Sequence, residues 1–97
     1  MRRIALLAPA LLAACAPAPA ATPVHGVTPG HKCDATGTDR FVGQAGTRAT
    51  GAAIKRATNA AVLRWAPPGV MLTMDFREDR VTVYLGPDKK VTKINCG

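Results

Sequence analysis

The apolar positions between residues 61 and 96 keep a strand rhythm, lose it, and regain it. In "AVLRWA" (61–66) Leu63 and Trp65 alternate with Val62 and Arg64, and in "VTVYL" (81–85) Val81, Val83 and Leu85 alternate with Thr82 and Tyr84. A period of two puts each set on one face of an extended chain, so both stretches read as strands. Next comes "GPDKK" (86–90), a turn by composition, since Pro87 fixes its dihedral and Gly86 and Asp88 tolerate tight geometry. "VTKINC" (91–96) then returns as an antiparallel partner. Upstream, Ala49, Ala53, Ile54 and Ala57 recur at helical spacing, and Thr47 or Thr50 can cap a short helix that runs to about Asn59. Gly51 and the threonines weaken that helix, so tertiary packing must hold it.

The rhythm is lost in "PPGVMLTMDFREDR" (67–80). Two prolines and a glycine announce a turn, yet Val70, Met71, Leu72, Met74 and Phe76 are apolar where a solvated turn would be polar. Taken alone, such a run belongs in a buried strand. As a connection of about a dozen residues it is also long enough to let strands 61–66 and 80–85 run parallel. The expected fold is therefore α+β, with one helix packed on a small mixed sheet and a long loop between its first two strands.

Composition changes the picture at the N-terminus. Met1-Arg2-Arg3, an apolar run from Ile4 to Leu12 broken by Pro9, and "LAAC" (12–15) read as a secretory leader too short to span a bilayer stably. "LAAC" resembles a bacterial lipobox, in which Cys15 is lipidated and becomes the first mature residue. Ala16 in place of aspartate resembles the outer-membrane sorting pattern. The expectation is an exported lipoprotein of the cell envelope, facing the periplasm and anchored through Cys15, with residues 1–14 as signal peptide. With Cys15 lipidated, Cys33 and Cys96 are left as a pair, and an oxidising periplasm permits their disulfide. A chain of 97 residues holds one domain with a small core, which such a staple would reinforce. Residues 16–32, "APAPAATPVHGVTPGHK", lack side chains to build a core and read with Cys15 as a lipidated tether reaching ~50 Å at ~3.1 Å per residue. That leaves 33–97 as the folded domain.

Charge and chemistry exclude several classes. The net charge of +7 falls to +5 when Arg2 and Arg3 leave with the leader, and the basic residues are scattered, so nucleic acid is not an expected partner. The chain has no serine, which removes a serine nucleophile. Its cysteines are accounted for without a thiol enzyme, which needs a histidine to make thiolate. His25, His31 and Cys33 fall short of a closed four-ligand zinc site, and Gly46-x4-Gly51 lacks the lysine and hydroxyl of a phosphate loop. Asp75, Glu78 and Asp79 form the one close carboxylate group and share the loop with two arginines. The chain reads as a monomer that is not an enzyme and needs no cofactor or metal.

"FVGQ" (41–44), the helix, a strand ending in "APPG" (66–69), "VMLTMDFREDRVTVYL" (70–85), a turn and a last strand ending in glycine together resemble the potato inhibitor I family of serine-protease inhibitors. The cysteine pair and the leader look closer still to its small bacterial and fungal relatives, the elastase-type peptidase inhibitors. The resemblance covers residues 33–97, and its most specific part is "G-x-x-x-T-M-D-F-R-x-D-R-V" over 69–81. It implies a serine endopeptidase of the chymotrypsin, elastase or subtilisin kind as partner. The binding loop would comprise Gly69, Val70, Met71, Leu72, Thr73, Phe76 and Arg77 around a reactive bond between Met74 and Asp75. It further implies that Arg80 reaches under the loop to hold Thr73 and Asp75. Plant members place a second arginine two residues later, where this chain has Thr82, so a looser loop is expected unless the Cys33 and Cys96 bridge compensates. Two other readings use the same fold: an envelope module whose loop docks a different partner, and a structural lipoprotein without inhibitory activity.

Overall fold

Thr47 starts the helix. Its hydroxyl accepts the Thr50 amide at 3.2 Å, satisfying one of the free donors of the first turn, and α1 then spans Arg48–Thr58. Asn59 ends it in the left-handed conformation, φ 62°, returning its amide to the Arg56 and Lys55 carbonyls. The computed structural model describes residues 24–97. The expected leader 1–14, Cys15 as the expected lipidation site and the first part of the expected tether lie outside the described residues.

The strands are β1 (Val62–Ala66), β2 (Arg80–Leu85) and β3 (Val91–Cys96), in sheet order β1-β2-β3. β1 and β2 run parallel, with Leu63 opposite Val81 and Arg64 opposite Thr82, while β2 and β3 form the antiparallel hairpin. The expected one-helix, mixed-sheet α+β architecture is thus the one observed. A short 3₁₀ turn, Thr38–Phe41, was not expected from the pattern; it delivers Phe41 to the core.

The core lies between α1 and one face of the sheet. Ile54 from the helix meets Val81, Val83, Val91 and Ile94, with Phe41 and Ala60 closing the edges and Leu63, Trp65 and Leu85 packed around them. Complete burial of a valine or isoleucine contributes about 1.5–3 kcal/mol, so this small set carries much of the fold. Gly51, which weakens the helix by propensity, is where Trp65 lies against it: a Cβ there would stand 2.7 Å from the indole Cζ2. A disulfide joins Cys33 to Cys96, 63 positions apart, and closing so long a loop is worth roughly 4 kcal/mol on the chain-entropy account.

The other face of the sheet also gains a cover. Alternation puts Arg80 and Thr82 of β2 opposite the helix side, and both are buried, because the loop and Gly97 lie over them.

Candidate functional site

The loop over 67–79 leaves β1 through a turn in which the Val70 amide reaches the Pro67 carbonyl at 3.3 Å and Gly69 takes φ 80°. From there to Arg77 no regular structure forms. Met74 is 98% exposed, Met71 93% and Phe76 71%, whereas Leu72 is half-buried. A 97-residue chain that leaves three large apolar side chains in water on one loop has a surface suited to a partner.

The residues on either side of Met74 are held from below. Asp75 offers its carbonyl to Arg80 Nη2 at 2.8 Å, and its Oδ1 lies 3.7 Å from the same nitrogen. Arg80 also donates through Nε to the Gly97 main-chain oxygen at 2.8 Å, so one rigid guanidinium fork ties the loop to the end of β3. Thr73, expected as a second partner of Arg80, is instead bonded by Arg64, whose Nη1 donates to its hydroxyl at 3.1 Å. Arg64 Nε donates to Thr82 Oγ1 at 3.2 Å, and the Thr82 hydroxyl in turn donates to the Gly97 oxygen at 3.2 Å. The parallel register explains the exchange. Arg64 stands directly across from Thr82, so the second guanidinium arrives from β1 rather than from β2.

Arg77, expected among the contact residues, turns inward. Its Nε and Nη2 both donate to the Asp79 carboxylate at 3.0 Å, and Asp79 is fully buried at the foot of the loop. Thr28 Oγ1 donates to the same carboxylate at 2.6 Å. Arg77, then Thr28, hold the Asp79 carboxyl well below the usual carboxylate range. The Thr73 hydroxyl, then the His25 ring, with Arg80 adding a smaller attraction, do the same for Asp75. These two carboxylates, Asp75 and Asp79, are anions across the physiological range, and each serves as an anchor.

The two histidines are engaged with the domain. His25 Nε2 lies 2.8 Å from Asp75 Oδ2, and His31 Nδ1 lies 3.0 Å from the Asn59 carbonyl oxygen. Among the described residues no group of three or more His, Cys, Asp or Glu is arranged to hold a metal ion, and no helix is long and apolar enough to cross a membrane. Sequence reasoning missed Arg64, Asp79 and His25. The first was within reach, since aligning two parallel strands from their apolar faces pairs it with Thr82.

A small α+β domain that lifts one apolar loop and braces it from beneath is built to present a segment to another protein. Residues 33–97 match the peptidase inhibitor I78 family, and the chain belongs to that family. Among solved structures it is similar to the elastase inhibitor AFUEI, at TM-score 0.50 and 22% identity over 61% of this chain and 81% of that one, a likeness of fold. No match was found among curated proteins. Family membership makes a peptidase the partner class and inhibition the activity class.

Proposed function

We propose that the protein inhibits serine endopeptidases by offering loop 69–77 as a substrate that is cut slowly and resealed, with the bond between Met74 and Asp75 as the reactive bond. The reading follows the potato inhibitor I likeness of residues 69–81. The observation that carries it is the contrast at that bond: Met74 is 98% exposed, while Thr73 and Asp75 on either side are tied to Arg64 and Arg80. A free methionine side chain fits a hydrophobic primary pocket, and its unbranched, polarizable chain adapts to several pocket shapes. A loop held in its bound shape avoids much of the ordering cost of association. After attack on the Met74 carbonyl, the Asp75 amine is the leaving group; an amine that stays beside the acyl carbon returns to it before water does.

The anchor belongs to the same proposal: lipid on Cys15 would hold a monomeric inhibitor at the periplasmic face of the outer membrane, and palmitate labelling that survives Cys15→Ala would exclude it. The inhibitory reading is tested by steady-state inhibition of chymotrypsin, elastase, subtilisin and trypsin, by the wild type and by Met74→Lys with the disulfide intact. The expected result is inhibition of the first three by the wild type and a shift toward trypsin in the lysine variant. Absence of inhibition, with the loop neither cut nor protected, would move the function to a different envelope partner.

A further inference from the structure

Residues 24–32 fall in the stretch that composition marks as tether, yet they lie along the second arm of the loop. The Gly26 carbonyl accepts the Asp79 amide at 3.1 Å, the Thr28 hydroxyl donates to the Asp79 carboxylate, and the Cys33 amide reaches the Glu78 carbonyl at 2.7 Å. Gly26 has φ 80°, and a Cβ on it would stand 2.9 Å from Arg77 Cα, so the two backbones run too close for any other residue. Further along, Asn59 Nδ2 donates to the Gly30 carbonyl at 3.1 Å, and His31 bonds the Asn59 carbonyl, fixing the segment to the end of α1. A free tether would make none of these bonds.

We propose that residues 24–32 are a working part of the inhibitor: a strap that clamps the arm after the reactive bond, with His25 as a positioning residue that orients the Asp75 carboxylate. The inference rests on the reading of Met74 and Asp75 as the reactive pair. Asp75 is held on two sides, with Oδ2 against the His25 ring and Oδ1 and the carbonyl toward Arg80. Fixing that carboxylate fixes the backbone whose amine must stay in line for resealing. The His25 side chain is 64% exposed, so it stands beside the reactive bond on the surface that a docked protease would cover. Because a carboxylate oxygen can only accept, the imidazole Nε2 donates to Asp75 Oδ2 and fixes its orientation. The charged groups around it are Asp75 and Arg80 on one side and Arg77 with Asp79 beneath Gly26.

The test uses the full chain as wild type, His25→Ala, His25→Gln and Gly26→Ala, with two kinds of readout. In the free protein, amide exchange of Asp79 and the through-space NMR contact between the His25 ring and the Asp75 methylene report the strap without any protease. Exchange at Asp79 should rise at least roughly tenfold in Gly26→Ala, where a side chain cannot share the left-handed, crowded site. Against a protease that the wild type inhibits, cleavage between Met74 and Asp75 should rise roughly fivefold in His25→Ala, the scale of one partly exposed polar contact. His25→Gln, which keeps a donor at that position, should recover most of that loss. Unprotected Asp79 in the wild type would overturn the strap. Equal cleavage of the wild type and both His25 variants would overturn the positioning role. A wild type that inhibits no serine protease would remove the reactive-bond reading and the positioning role with it, while the free-protein readouts still decide whether the strap is bound.

Discussion

The two arms of the loop are held very differently. Among the described residues, a single side-chain bond, Arg64 to Thr73, ties the arm before the proposed reactive bond to the sheet. The arm after it is bonded at almost every residue. Asp75 is held by Arg80 and His25, Arg77 is folded onto Asp79, and the Glu78 carbonyl accepts from Cys33 beside the disulfide. Asp79 also takes Thr28 on its carboxylate, and its carbonyl receives the Ala61 and Val62 amides. For a substrate-like inhibitor this is the useful asymmetry. In the proposed mechanism a serine protease would keep the first arm covalently after acylation, so the inhibitor would need to hold only the second, which carries the amine.

Arg80→Met should disturb this balance most. It keeps the aliphatic stem and removes charge-assisted bonds to the Asp75 carbonyl and the Gly97 oxygen, of which only the Gly97 oxygen keeps another side-chain donor, Thr82. A loss of about 3 kcal/mol in urea unfolding is expected, because bonds to charged groups contribute about 1.5–3 kcal/mol each and the methionine recovers part by packing. The protein should become a substrate, cut between Met74 and Asp75 and released. A variant that loses stability while inhibiting as before would mean that the arm is held without Arg80.

Arg64→Met separates the arms. It removes the guanidinium bonds to Thr73 and Thr82 and leaves every bond of the second arm in place, so unfolding should change by about 2 kcal/mol, less than for Arg80 because the Thr73 bond is exposed to solvent. Affinity should fall because the first arm must be ordered on binding. Resealing should be nearly untouched, since the amine is still held. Measuring association and the cut-to-intact ratio at equilibrium with protease distinguishes the two effects: a changed ratio would show that the arms act as one unit through Thr82 and Gly97.

What the sequence made legible was whatever local periodicity or composition encodes. Alternation in 81–85, the turn at 86–90 and the helical spacing from Ala49 to Ala57 map onto β2, the hairpin and α1 because each signal lies within a few residues of what it shapes. The exposed apolar loop was visible as an anomaly in the same pattern. Its bracing was not, because the partners are distant in sequence: His25 and Asp75 are 50 residues apart, and Thr28 and Asp79 are 51. No period connects them. Proline and glycine suggested a tether at 24–32, whereas Gly26 meets a demand for close backbone approach that only the folded loop creates. Arg64 was intermediate, a polar strand position whose meaning depended on the register with Thr82.

The smallest expected effect isolates one carboxylate of the better-held arm. Asp75 titrates well below an ordinary aspartate because the Thr73 hydroxyl, His25 and Arg80 all favour its anion. A group whose folded value is depressed adds stability above its unfolded value, about 3.9 for aspartate, and that stability is lost as pH falls below it. The wild type should therefore be more stable than Asp75→Asn at pH 6, with the gap narrowing steadily between about pH 4 and pH 2. Asp79 is present in both proteins, so its own acid sensitivity cancels in the difference. The gap should be modest, since the Asp75 side chain is 35% exposed and solvent screens its partners. Urea midpoints at pH 6, 4 and 2 measure it. A gap that stays constant to pH 2 would mean that the Asp75→Asn change costs shape rather than charge, and the second arm would then owe its grip to main-chain bonds and to Asp79 alone.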